Sequence, residues 1–257
     1  MKKTSFLALI TLLISTFMNA QFKTVRYTDN SKNLNGLFLK SAQKSNQNPG
    51  ILILPAWMGI DDASKGIAEN LSKSGYHVFI ADIYGEGNYP KNTAEAGKQA
   101  GYYKTNFKEY QKRIQLALDQ LIQFGANTDN IVVIGYCFGG TGALEAARGH
   151  LNTKGIVSFH GGLGKDNTRV IEPITTKILI CHGADDPYVS KDEITTFQQE
   201  MRDGKADWQM IYYANAVHSF TNPNAGNDNS KGAAYNETAA KRSFEHLHLF
   251  LNEVFKK

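Results

Sequence analysis

Cys137 stands at the centre of Gly135-Tyr136-Cys137-Phe138-Gly139-Gly140, which follows an apolar run at residues 131–134 and precedes a helix-like stretch at 141–148. A cysteine at the apex of a tight strand-to-helix turn is a nucleophile elbow with sulfur where serine is commoner. The glycines two before and two after it have a physical reason. The nucleophile takes a strained backbone conformation, and a side chain at those positions would collide with the adjoining strand or helix. A cysteine used only for packing on a glycine-rich turn would need neither those glycines nor suitable partners downstream.

Partners follow in a telling order. Residues 177–182 read as a buried strand, and Gly183-Ala184-Asp185-Asp186-Pro187 follows as a loop carrying a carboxylate. After another strand pattern at 208–213 comes Ala216-Val217-His218-Ser219-Phe220. A lone loop aspartate usually caps a turn, and a lone histidine is usually polar surface. Nucleophile, acid and histidine, each just past a strand end, form instead the order in which an α/β-hydrolase carries its triad. The chemistry would be acyl transfer. A thiol of ordinary pKa is mostly protonated at neutral pH, so Cys137 needs His218 as base and the positive end of the following helix. The Phe138 N–H, next after the nucleophile, would donate to the oxyanion, and the loop after the strand at 51–54 would supply a second donor.

On these residues the chain resembles the dienelactone hydrolase family, from about Gly50 onward. It matches the family's Gly-x-Cys-x-Gly-Gly elbow, Gly-x-Asp-Asp acid loop and Gly-His-Ser-Phe-type histidine loop, the last with Val217 in place of the glycine. The resemblance implies an α/β-hydrolase fold, a mostly parallel twisted sheet with helices on both faces. It makes Cys137 the nucleophile, Asp186 the acid and His218 the base. Asp186 is preferred to Asp185 because Pro187-Tyr188-Val189 matches the step that follows the family's acid, which leaves Asp185 to shape the loop through hydrogen bonds to backbone. It places the second oxyanion donor at Trp57. Dienelactone-cleaving members also carry a glutamate that governs the resting cysteine and arginines that grip the substrate carboxylate; the matching positions here are Ala56, Glu86 and Asn222. Without an arginine fork an anionic lactone loses charge-assisted contacts worth about 1.5 to 3 kcal/mol each, so a less anionic ester or lactone is expected. Tyr84, Tyr136, Tyr188, Trp57 and Phe220 suggest an aromatic-lined pocket.

The elements that must position these residues are legible as alternation. A hairpin with alternating residues near Val25 and Leu37 precedes continuous apolar strands at 51–54 and 78–81. Asp62 is expected to cap a helix that turns Ile67, Ala68 and Leu71 inward, and residues 105–124 carry Ile114, Leu118 and Leu121 at helical spacing. Residues 84–104 read as a polar, glycine-containing excursion beside the pocket. Ser190 with Glu193 reads as a capping box, and residues 238–255 as a final helix.

The chain has 257 residues, 42% of them hydrophobic, which is enough for one sizeable core, and residues 21–257 are expected to form a single domain. Residues 1–20 have the form of a secretory signal: Lys2-Lys3, an apolar centre from Phe6 to Met18, and Ala20 as a small exit residue. Export to the periplasm or medium is expected, with no stable membrane anchor once the segment is removed. Its removal takes two lysines and no acids, which lowers the net charge from +4 to +2. Neither that charge nor any aromatic-basic stripe suggests nucleic acid. A Cys137–Cys181 disulfide is excluded because a strand at 155–160 is expected to lie between them, so Cys181 reads as a small core hydrophobe. His246 and His248 point to different helix faces, and neither a metal nor any other cofactor is expected. The expected partner is a small-molecule ester or lactone. Two competing readings are a thiol redox or peroxide-reducing protein and a catalytically silent binding relative of the fold; the first lacks a resolving cysteine, and the second leaves an intact triad unexplained.

Overall fold

The computed structural model describes residues 21–255, so the expected leader at 1–20 lies outside the described residues. A hairpin of β1 (Lys23–Asp29) and β2 (Lys32–Leu39) forms the antiparallel edge of an eight-stranded sheet. β3 (Gly50–Leu54), β4 (His77–Ile80), β5 (Ile131–Tyr136), β6 (Gly155–Phe159), β7 (Lys177–Gly183) and β8 (Trp208–Tyr213) run parallel in the order β4-β3-β5-β6-β7-β8. β3 to β6 are buried at every position. That follows from their apolar runs, since a strand with helices on both faces has no solvent side.

Alternation divides the core between those faces. Leu52 and Leu54 of β3 join one cluster, Ile51 and Ile53 the other. α1 (Asp62–Lys73) and α6 (Glu237–Val254) cover the second face through Ala68, Leu71, Leu247 and Leu251. The first is covered by α2 (Thr93–Thr105), α3 (Phe107–Gln123), α4 (Phe138–Arg148) and α5 (Lys191–Asp203), with Tyr103, Ile114, Leu144 and Phe197 inward.

Three local expectations are corrected. Asp61 caps α1, not Asp62: its carboxylate accepts from Ser64 N at 2.8 Å while Ser64 Oγ accepts from Asp61 N at 3.0 Å. Only half of the box at α5 forms. Ser190 Oγ accepts from Glu193 N at 3.1 Å, but the Glu193 carboxylate turns outward to accept from Leu163 N and Gly164 N at 2.6 and 2.8 Å, tying α5 to the loop after β6. The 84–104 excursion is helical in its second part. α2 is capped by Asn92, and its apolar stripe is weak because only Ala96, Ala100 and Tyr103 are buried.

Buried ionic contacts fix that region against the hairpin. Asp82 accepts from Asn35 N and Gly85 N, both at 2.8 Å. Arg113 of α3, fully buried, donates Nε–H to Asp29 at 2.7 Å and Nη1–H to the Ile83 carbonyl at 2.9 Å. The loop that carries Tyr84 is therefore held from two sides.

Candidate active site

Cys137 takes φ 54° and ψ −115° between β5 and α4, a left-handed backbone that costs a non-glycine residue roughly 1–3 kcal/mol. The neighbouring glycines make the turn possible. A Cβ on Gly135 would overlap the Gly139 carbonyl, one on Gly139 would overlap the Leu54 carbonyl of β3, and one on Gly140 would crowd Ser158 Oγ. Gly139→Ala is thus expected to destabilise the fold by about 3 kcal/mol or more, because the obstacle is backbone that cannot rotate away. Thermal unfolding of the purified variant measures this, and a melting temperature equal to the parent's would contradict the packing account.

The predicted triad residues meet. His218 Nε2 lies 3.0 Å from Cys137 Sγ, and His218 Nδ1 donates to Asp186 Oδ2 at 2.9 Å. Asp186 Oδ1 accepts from Tyr188 N at 2.9 Å, so this residue also shapes its own loop. Asp185 was expected to do that; it is exposed, and its backbone N–H bonds the Ala216 carbonyl instead. The His218 ring is held edge-on between Tyr188 and His160, each with ring centroids 5.3 Å away.

Electrostatics favour an ion pair. Burial pushes the Cys137 thiol up, but the hydrogen bond and charge of His218, the Phe138 N–H and Lys104 together take it below the ordinary thiol range. Burial pushes His218 down, yet Asp186 and the Cys137 sulfur outweigh it and raise the imidazole to about 9. Both shifts run in the direction of an imidazolium–thiolate pair. Cys137 is half-buried and lines a cavity of about 350 Å³ with Trp57, Phe138, Tyr188 and His218 in its wall. Phe138 N is the first N–H of α4 and has no intrahelical partner. Trp57 N bonds no backbone carbonyl among the described residues, while its carbonyl accepts from Tyr84 Oη at 2.8 Å. The Phe138 N–H faces the Cys137 sulfur and Trp57 lines the same cavity, so their backbone donors can receive a developing oxyanion.

Other expected residues lie elsewhere. Tyr136 and Phe220 do not line this cavity: Tyr136 stacks on Phe159 and Phe220 packs on Tyr213, both in the α1/α6 core. Tyr84 sits beneath the site, its ring parallel to Phe138 at 5.7 Å. Ala56 and Asn222 line a separate hole of about 40 Å³, and exposed Glu86 faces Asn33 and Arg26. Two residues were missed. Lys104 of α2 lines the Cys137 cavity and pairs with no carboxylate among the described residues. His160, fully buried at φ 41° with Nε2 2.8 Å from Thr221 Oγ1, backs the His218 ring. Burial, then the neighbouring His218, holds His160 well below the usual imidazole range. A Ser-Phe-His-Gly step at a strand end was the available signal for His160; Lys104 had none while α2 went unread.

A mostly parallel sheet covered on both faces, with cysteine, aspartate and histidine just past the ends of β5, β7 and β8, defines an α/β-hydrolase fold. The dienelactone hydrolase family model matches residues 34–255, and the chain belongs to that family. The crystal structure of a dienelactone hydrolase-like promiscuous phosphotriesterase from metagenomic libraries is 34% identical with a TM-score of 0.85, covering 91% of this chain and 98% of that one. A probable 2-oxo-3-(5-oxofuran-2-ylidene)propanoate lactonase of Bradyrhizobium sp is 26% identical over 67% of this chain and 73% of its own length. The carboxymethylenebutenolidase of Rhodococcus opacus is 24% identical over 73% of this chain and 77% of its own length.

Proposed function

We propose that this protein is an exported hydrolase that cleaves an ester or lactone through a thioester acyl-enzyme on Cys137. The observation that carries the reading is the 3.0 Å contact between His218 Nε2 and Cys137 Sγ, with Asp186 behind the imidazole. The thiolate adds to the carbonyl carbon, and the oxyanion is met by the Phe138 and Trp57 N–H groups. The C–O bond breaks as the His218 imidazolium gives its proton to the departing alkoxide. The neutral imidazole then takes a proton from water, whose oxygen attacks the thioester; thiolate and imidazolium return as the acid leaves.

The proposed substrate is an ester or lactone other than the anionic dienelactone. Among the described residues no arginine lines the Cys137 cavity, and Lys104 is a single flexible point charge rather than a planar two-armed grip. The redox reading finds less support, since Cys181 is sealed in β7, its thiol pushed by burial up to about 12, with β6 between it and Cys137. Incubation with an activated short-chain ester is expected to add one acyl mass to the Cys137 peptide, trapped by rapid acid quench. A parent enzyme that turns over the ester with no adduct at Cys137 under any quench would refute the mechanism, and efficient dienelactone turnover would refute the substrate assignment. An aryl phosphotriester belongs in the same panel, given the activity named for the relative at 34% identity.

A further inference from the structure

Residues 84–104 build a second cavity, lined by α2 residues other than those that reach Cys137. It has a volume of about 530 Å³ and lies between α2, the 84–91 loop and the turn of the β1–β2 hairpin. That is within the range of small-molecule sites, roughly 300–1,000 Å³.

Its chemistry is specific. Four tyrosines contribute to the wall: Tyr84, Tyr89, Tyr102 and Tyr103. Tyr103 is only 3% exposed, yet its hydroxyl makes no hydrogen bond to the protein and is not among the sealed polar atoms. Burial pushes its phenol up to about 12, so at neutral pH it is an uncharged donor. Such a group needs a partner, and the cavity is the direction from which one can come. Tyr89 and Tyr102, 36% and 47% exposed, offer ring surface that a planar or pyranose ring can cover. Three lysines against one carboxylate make the wall net positive. Lys91 and Lys98 have no carboxylate partner among the described residues, and Lys32 shares Glu109 at 3.7 Å. The one carboxylate in the wall, Glu95, is already engaged with Lys91 N at 2.9 Å and Asn92 Nδ2 at 3.1 Å.

We propose that this cavity is a binding site for a ring-bearing carboxylate, the ring lying against Tyr89 and Tyr102, the carboxylate held by Lys91 and Lys98, and the Tyr103 hydroxyl donating to the ligand. A hexuronic sugar and an aryl carboxylate share this chemistry. The site is separate from the Cys137 cavity and does not depend on catalysis there. The two adjoin through Tyr84, whose hydroxyl holds the Trp57 carbonyl and whose ring stacks on Phe138.

The test is a titration of the ¹⁵N-labelled, leader-free protein with sodium benzoate and with sodium galacturonate, followed by amide chemical shifts; acetate, benzyl alcohol and galactose serve as controls. Saturable shifts at amides within 84–103 are expected with at least one acid, and which acid binds identifies the source chemistry. Lys91→Gln combined with Lys98→Gln removes two exposed charges and no core contact. It should weaken binding ~10-fold or more, whereas Tyr103→Phe should weaken it several-fold. Lys104→Gln should leave it unchanged. The proposal fails if neither acid gives saturable shifts, if acetate or the neutral controls move the same amides equally, or if the double lysine variant binds as tightly as the parent. Shifts that map instead to Cys137 and His218 and vanish in Lys104→Gln would place the acid in the catalytic cavity and overturn it as well.

Discussion

Cys137→Ala is expected to lower kcat/KM for an activated ester about 1,000-fold or more, with whatever activity remains coming from the oxyanion donors and binding alone. The variant removes the atom to which the acyl group would bond, so no repositioning of His218 can compensate. It should fold. Alanine is no more strained at φ 54° than cysteine, and the sulfur's loss leaves its neighbours facing an open cavity rather than a sealed void. Losing one partly buried sulfur and its contact with His218 should cost about 1 kcal/mol, a shift of roughly 2–4 °C for a domain of this size. Steady-state kinetics paired with thermal unfolding separate the two effects. Turnover within about tenfold of the parent, in a protein that melts normally, would show that the thiol is not the acyl acceptor.

The contrast between what was readable and what was not has a common cause. A strand buried on both faces must be apolar throughout, and an elbow must have glycine wherever backbone approaches backbone. Both leave unambiguous residues: Ile131 to Ile134 for β5, and Gly135, Gly139 and Gly140 around Cys137. α2 leaves no such trace. With Gly97 and Gly101 inside it and three buried residues, it is held by an Asn92 cap and by contact with α3 rather than by a strong apolar stripe. Missing α2 meant missing Lys104 and the second cavity with it. The errors at Tyr136 and Phe220 are of another kind. Tyr136 shares the strand face of Val132 and Ile134, which belong to the α1/α6 core, so period-two alternation already pointed it away from the Cys137 cavity. Nearness in sequence to Cys137 and His218 does not override side-chain direction. Glu193 fails as a capping residue because two backbone donors of the β6 loop, distant in sequence, compete for its carboxylate, and no local pattern records such competition.

Asp186→Asn should lower kcat/KM at pH 8 by about 100-fold or more and move the alkaline limb of the pH profile to lower pH. The sign follows from what Asp186 faces. Its carboxylate accepts the Nδ1–H of His218 and stabilises the imidazolium, and with Cys137 it lifts that group from 6.5 to about 9 against the opposing effect of burial. In the proposed cycle the imidazolium protonates the departing alkoxide, so activity is retained below the raised pKa and lost as pH rises through about 9. An asparagine carries no charge, and its amide can present N–H₂ to Nδ1, favouring the tautomer that points a proton away from the carboxamide and towards Sγ. Thiol labelling with iodoacetamide reports the other half of the pair. In the parent, Cys137 should react rapidly at pH 7, since His218 holds the thiol below its ordinary range. In Asp186→Asn the imidazolium is less stable, the thiolate fraction at pH 7 falls, and labelling should slow and recover only at alkaline pH. An unchanged alkaline limb together with unchanged labelling would mean that Asp186 only shapes its loop through Tyr188 N, and the acid of the triad would have to be sought elsewhere.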